Sequence, residues 1–484
     1  MGKKTSLKTN FFYNAGYQVL SLITPLLTAP YVARVLGVEI IGQYSYTQSI
    51  VVYFGLIAAL GSGTHGQRGI AGYRDDKSKM SKFFYEIVIL RFVTTVLSLI
   101  LYGLYMWQFG KEYTTIFALQ ATTVVACAFD ITWLYQGLEN FKKTVTRQVF
   151  IKIVGVVAVL VFVKSPSDFY LYILCYSVPT LLGNILLWPG VSKIITSVDY
   201  KELYPLKHLR AEIELFIPYI ATLSFTYIGK TMIGSLSDVS ENGYYEQALK
   251  FITIAAGVVS AFSTVIVPRM AYYFKQKDTS KIQHYIKEGV TVIMILSTLL
   301  VAGMFSIGGN VIPWFYGAGY ERSITILEVL CFVTLFKGIN TFMGSSILIA
   351  SFRQGMYSIS IWVSTIINVL LNFVLIPQSG AVGASVTAVI SEIVLFFMLL
   401  YFVRDSLTFK QFFKYSYKPL IAGLIATTVV YRFAGTIRSS IINSALLGSA
   451  VVAIYAIVLL GLREEYLMGI LEKLVGKLVY KGEE

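Results

Sequence analysis

Tyr31-Val-Ala-Arg-Val-Leu-Gly-Val-Glu-Ile-Ile-Gly-Gln-Tyr-Ser-Tyr46 joins two long apolar runs. It carries Arg34 at the far end of the first run and turns through Gly37 and Gly42 into the second. A charge at that depth is costly in a membrane, so it marks a cavity, a gate, an ion pair with Glu39 or an anchor at the membrane surface. Pro25 and Pro30 lie just before it and predict a bent first helix.

The pattern continues along the chain. Of 484 residues, 56% are hydrophobic and 14% charged, with a mean hydropathy of +0.68. Soluble domains hold about 45–50% apolar and about 25% charged residues. The apolar residues fall in runs long enough for membrane helices, without the sustained alternation of a barrel strand. The fold class expected is all-α and polytopic, with about fourteen spans. They lie near 11–36, 42–62, 83–106, 114–136, 146–163, 169–190, 214–236, 245–268, 289–312, 322–349, 356–376, 381–403, 416–434 and 441–461. Beyond the last span, Leu467, Ile470, Leu471, Leu474 and Leu478 predict an amphipathic tail at the membrane surface.

The net charge of +14 would suit a nucleic-acid partner, but its placement argues against one. With the N-terminus inside, most of the 40 Lys and Arg fall in inner segments. The outer segments then hold only Arg34, Lys111, Lys164, Arg322, Arg432 and Arg438. That bias predicts both termini on the cytoplasmic side and assigns the charge to the membrane surface. The outer loops are short, which leaves no room for the catalytic loop of a membrane-bound polymerase or ligase, so no enzyme is expected. Cys127, Cys175 and Cys331 are far apart in apolar runs and form neither a disulfide framework nor a metal site. The first apolar run is too long for a cleavable leader and is expected to remain as an anchor. Gly61-Ser-Gly-Thr-His-Gly66 matches a nucleotide-binding glycine pattern but follows a membrane helix, not a strand. Met1-Gly-Lys-Lys-Thr-Ser6 fits the myristoylation pattern by coincidence, because a basic N-terminus is what the topology requires. With no P-loop, the chain is not expected to hydrolyse ATP, and no cofactor is expected.

A repeat emerges at a shift of 201 residues. Gly42-Gln-Tyr44 falls on Gly243-Tyr-Tyr245, and Arg68 on Arg269. Six spans separate the copies, so both have the same orientation, a plan that places a transport site between the halves. The organisation expected is two pseudo-twofold-related six-helix lobes, 1–207 and 208–408, then 409–484 with a terminal helix pair and the tail.

Several stretches carry a resemblance. They are Pro30-Tyr-Val-Ala-Arg-Val-Leu-Gly37, Gly63-Thr-His-Gly-Gln-Arg-Gly-Ile-Ala-Gly-Tyr-Arg-Asp-Asp76 with Phe83-Phe-Tyr-Glu-Ile87 and Arg91, Asp130-Ile-Thr-Trp-Leu-Tyr-Gln-Gly137 with Phe141-Lys-Lys143, and Asp168-Phe-Tyr-Leu-Tyr172. In this order they resemble bacterial O-antigen and capsule repeat-unit flippases of the multidrug/oligosaccharidyl-lipid/polysaccharide exporter superfamily. The resemblance implies a flippase in the bacterial cytoplasmic membrane. It would carry an undecaprenyl-diphosphate-linked oligosaccharide from the inner to the outer leaflet by alternating access. It also implies membrane lipids, a polysaccharide polymerase and export machinery as partners. In the peptidoglycan-precursor branch, the two extra helices border a groove for the lipid tail. That branch and the drug exporters are the alternatives.

A lipid diphosphate needs cations, and sugars need polar or aromatic groups. Arg34, Arg91, Lys230 and Lys337 are the candidates for a cationic cavity, each with a structural ion pair as its rival. Asp130 and Glu392 are the candidates for coupling to H+ or Na+, against the plainer role of neutralising a cation. Glu86 and Glu328 are further acids in apolar runs. Tyr44, Tyr46 and Tyr245 are candidates for sugar contact, against the ordinary interfacial role of tyrosine.

Overall fold

The computed structural model describes residues 7–469, and every regular element among them is helical. The first part holds α1 (Leu7–Ala59), α2 (Ser62–Tyr73), α3 (Lys77–Phe109), α4 (Thr114–Ala128), α5 (Thr132–Gly137), α6 (Phe141–Phe162), α7 (Phe169–Ile185) and α8 (Leu209–Leu236). There follow α9 (Val239–Gln276), α10 (Thr279–Tyr316), α11 (Arg322–Thr341), α12 (Gln354–Ser379), α13 (Ala381–Phe402), α14 (Phe409–Ala434) and α15 (Ile441–Gly461). The expected spans fall on these helices, the first two sharing α1 and the fourth divided between α4 and α5. The chain is a multi-pass membrane protein. The tail from Ile470 and the basic residues Lys3 and Lys4 lie outside the described residues.

Three local readings are corrected. In α1 the backbone leaves helical dihedrals at Gly37 (φ 79°, ψ 172°). That conformation is open almost only to glycine. Gly42 is helical, so the second span begins directly after Gly37 rather than after a five-residue turn. The segment after Gly61, read as part of an inner loop, is the helix α2. The span near 114–136 is broken at residues 129–131. There the Asp130 carboxylate accepts the backbone N–H of Thr132 at 3.0 Å and the Thr132 hydroxyl, a local bond that competes with helix.

The chain divides into two compact units, Met1–Ser235 and Leu236–Glu484. In the first, α3 shows why the elements are membrane helices. Its exposed side is Val93, Val96, Leu97, Ile100 and Leu104, while its buried side carries Glu86, Arg91, Thr94, Thr95 and Ser98. A water-soluble helix has the reverse arrangement. The inward hydroxyls are bonded: Thr94 donates to the Ala58 carbonyl at 2.8 Å and Ser98 to that of Phe54 at 2.6 Å. Trp133, Leu134 and Tyr135 of α5 form a core with Ile70, Phe84, Ile87 and Leu187. The start of α3 is fixed by Asp76, which accepts the Lys79 N–H at 3.0 Å. Helix α8 groups with this unit. Ser49 and Thr231 share a hydrogen bond of 2.8 Å, and Tyr46 and Ser235 one of 3.3 Å.

In the second unit α10 packs against α9, α11, α14 and α15. Ala302, Ala422 and Ala426 allow α10 and α14 to approach closely. Thr298 and Tyr455 share a buried hydrogen bond of 2.7 Å, which ties α15 to α10. Glu241 of α9 pairs with Arg322 at the start of α11 and accepts the Ala381 N–H at 2.9 Å. It thereby caps the N-terminus of α13, where a carboxylate is favoured by the free amides. Residue 380 before it is a left-handed glycine (φ 58°), on which a Cβ would come within 2.5 Å of the Glu241 carboxylate. A π-helical stretch, Phe342–Ile349, ends the span that α11 begins.

Candidate functional site

The first unit gathers its buried charges around α3. Arg91 is 4% exposed. Its Nε donates to the Cys127 carbonyl at 2.6 Å, Nη1 to the Ser62 hydroxyl at 2.8 Å and Nη2 to the Asp130 carboxylate at 3.4 Å. It thus joins the start of α2, the end of α4 and the break before α5. A planar guanidinium suits such a three-way clamp, because its donors point in fixed directions. Asp130, the first coupling candidate, is the acid of this pair.

Glu86 lies on the same helix and is 1% exposed, but its partners come from the segment before α8. It accepts the Tyr204 N–H at 3.0 Å and the Lys207 ammonium at 2.8 Å. His208 Nε2 lies 3.0 Å from its other oxygen, and His208 Nδ1 lies 3.0 Å from His65 Nε2. Because a carboxylate only accepts, His208 Nε2 carries a proton. In a neutral His208 the Nδ1 then accepts from His65 Nε2–H.

The sequence reading missed Glu212 at the start of α8. It is fully buried, and neither carboxylate oxygen has a hydrogen-bond partner among the described residues. It lies within electrostatic reach of Arg91, and its backbone presses on Gly61, where a Cβ would meet the Glu212 carbonyl at 2.3 Å. The signal available was an acid two residues before an apolar run, which in sequence reads as a surface charge.

Of the other cations, Arg34 is exposed and Lys230 is half-buried, 5.5 Å over the Tyr227 ring. Lys337 belongs to the second unit, half-buried in α11 and within electrostatic reach of Glu392. Glu392 is 2% exposed and accepts from Asn340 Nδ2 at 2.8 Å. A polar seam missed in the sequence runs beside it between α12 and α13. Asn372 donates to Asn368 at 2.9 Å, Asn368 to the Ser391 hydroxyl at 3.0 Å, and Ser364 to the Ser391 carbonyl. The asparagines, four apart in an apolar run, were its signal.

Among the sugar candidates, Tyr44 stands edge-on to Tyr172 at 5.0 Å, and Tyr46 to Tyr113 at 5.8 Å. Tyr245 is buried in α9. Glu328 is half-buried in α11. Among the described residues no group of three His, Cys, Asp or Glu side chains is placed to hold a metal ion.

The second unit also has an apolar groove of about 460 Å³. It lies between α11 and α14 over α10, lined by Phe305, Phe332, Leu335, Leu424 and Tyr431 among others, with Arg432 at its edge.

Comparison with known proteins places the chain among relatives of similar length. A putative O-antigen transporter of Shigella dysenteriae is 22% identical, over 83% of this chain and all of its own length. The capsular polysaccharide biosynthesis protein CapF of Staphylococcus aureus is 22% identical, over 82% of this chain and 98% of its own. Among solved structures, the lipid II flippase MurJ in an inward closed conformation superposes with a TM-score of 0.70 at 16% identity, covering 93% of this chain and 97% of its own. An inward-facing multidrug transporter of the MATE family gives 0.60 at 12% identity, covering 85% and 99%. The fold is therefore that of these two solved transporters. A sequence profile of polysaccharide biosynthesis proteins matches residues 7–274, more than half of the chain, which therefore belongs to that family.

Proposed function

We propose that the protein is a flippase that moves an undecaprenyl-diphosphate-linked oligosaccharide from the inner to the outer leaflet of the bacterial cytoplasmic membrane, for capsule, exopolysaccharide or O-antigen synthesis. The observation that carries this reading is the apolar groove of about 460 Å³ between α11 and α14, with Arg432 at its edge. An isoprenoid tail needs an apolar surface that remains continuous with the bilayer while the head group crosses. A cation in the lining of such a groove, here Arg432, suits the diphosphate. The names of the relatives support the saccharide part of the reading.

In the proposed cycle the protein opens inward and draws in the diphosphate by cations, the candidates being Arg34 and Lys230 in the first unit and Lys337 in the second. It then closes beneath the substrate and opens outward by alternating access. In this reading an H+ or Na+ gradient supplies the driving force, since the chain carries no P-loop, with Asp130, Glu392 and Glu212 as the candidate acids for the ion. Both termini are cytoplasmic, as the lysine and arginine bias requires.

The test is reconstitution in vesicles with a lipid-linked saccharide, scored by protection from an impermeant reagent outside. The expected result is protein-dependent exchange between leaflets. Absence of exchange for every lipid-linked saccharide tried would overturn the reading. Rescue of a strain lacking its lipid-linked peptidoglycan-precursor flippase would assign that substrate instead. Transport that persists after both gradients collapse would remove the ion coupling.

A further inference from the structure

Within the first unit, α1, α4 and α7 enclose a polar cavity of about 140 Å³. It is separate from the Arg91 and Glu86 clusters, and none of its lining residues is charged. Gln120 of α4 reaches it and is fully buried, and neither its Nε2 nor its Oε1 has a hydrogen-bond partner among the described residues. Ser177 of α7 also lines it, is 4% exposed, and has an unpartnered hydroxyl. Leaving buried polar groups unsatisfied costs about 1–3 kcal/mol each, so several at one cavity indicate an occupant that bonds them.

The chemistry of the lining narrows the occupant. A primary amide offers donors and an acceptor side by side, which matches two neighbouring hydroxyls of a sugar. Gln48 adds a second amide, and Thr180, whose hydroxyl donates to the Tyr176 carbonyl at 2.8 Å, retains an acceptor lone pair. Tyr44 and Tyr176 line the cavity and flank Tyr172, with ring centroids at 5.0 and 5.2 Å from it. Aromatic rings beside amides and hydroxyls suit the mixed apolar and polar faces of a pyranose. The lack of charge disfavours a diphosphate, a uronic acid or a metal ion.

We propose that this cavity binds one neutral pyranose of the transported saccharide, with Gln120 as its main hydrogen-bonding group. The proposal rests on the flippase reading and adds a sugar subsite to it.

The test uses the full-length protein in nanodiscs. D-glucose, D-galactose and N-acetyl-D-glucosamine are each added, and saturation-transfer NMR records their binding to the protein. At least one sugar should give signal with wild type. Gln120→Leu should weaken its binding by about tenfold or more, as expected for loss of a paired amide. Ser177→Ala, a smaller change that keeps the packing, should weaken it less. Equal signals for wild type and both variants, or no signal for any sugar, would overturn the proposal. So would Gln120→Leu that raises thermal stability and leaves sugar binding unchanged, since the cavity then holds only water. The vesicle exchange assay on the same variants separates the two readings. Exchange by wild type with unaltered sugar binding in Gln120→Leu removes the subsite alone. Sugar binding abolished by Gln120→Leu, with no lipid-linked substrate exchanged by wild type, removes the flippase reading alone.

Discussion

The Nε of Arg91 lies 2.6 Å from the carbonyl oxygen of Cys127, on the last turn of a neighbouring helix. With the bonds to Ser62 and Asp130, this makes the guanidinium a fastening between three elements. Arg91→Ala would leave a carbonyl, a hydroxyl and a carboxylate without their donor. The expected loss is about 3–5 kcal/mol, as for other buried pairs broken on one side. It should appear as lower membrane abundance and a lower unfolding temperature in detergent. Lys337→Ala is expected to keep normal abundance and lose export. If both variants keep full export at normal abundance, cations at these positions serve neither purpose.

Gly37→Ala tests the break in α1. A Cβ there would meet no atom within 4 Å, so any cost is conformational rather than steric. The φ of 79° with an extended ψ costs a side chain about 1–3 kcal/mol. The expected outcome is destabilisation of that size in thermal unfolding. An unchanged midpoint would show that the two halves of α1 join by another path.

Leu424→Trp should obstruct the groove without touching the core, because Leu424 lines it and is exposed. Exchange of a substrate with a full-length isoprenoid tail should fall several-fold, while a short-tailed analogue is less affected. Equal loss with both tails would place the tail elsewhere.

Asp168 gives a pH signature outside the membrane spans. Its carboxylate accepts the N–H groups of Lys164 and Ser165, both at 2.9 Å, and the Ser165 hydroxyl. The Lys164 N–H bond first, then those of Ser165, hold its pKa below the ordinary carboxylate value. A lowered native pKa contributes stability that is present above the unfolded value, about 3.9, and lost as pH falls through the native one. The protection of the Lys164 and Ser165 amides, relative to their intrinsic exchange rates, should therefore hold down to about pH 4 and be lost only as pH falls further, through the lower native pKa. Asp168→Asn should make exchange at both amides faster at neutral pH.

The membrane helices were legible because their apolar runs are long, and α3 shows the reason: its lipid side needs no tertiary partner to be recognised. What escaped depended on contacts distant in sequence. The segment after Gly61 read as a loop because it is polar and glycine-rich. Its glycines instead admit aromatic neighbours, Gly66 lying against Trp133 and Gly69 against Phe83. Asp130 looked like a span residue because the break at that position comes from its own bond to Thr132 and from Arg91, 39 residues away. Glu86 gave no hint of His208, 122 residues on, and Glu212 gave no hint of being buried. Composition shows that a charge is present in an apolar run, but only packing shows what it faces.

The cap of Glu241 on Ala381 also constrains descent. Position 380 has neither the backbone angle nor the space for a side chain, since the carboxylate of residue 241 occupies it. Residue 380 therefore cannot gain a side chain while residue 241, 139 positions earlier, keeps its carboxylate. A lineage that replaces the glycine must first shorten or remove the acid, and in doing so frees both Arg322 and the first amide of α13.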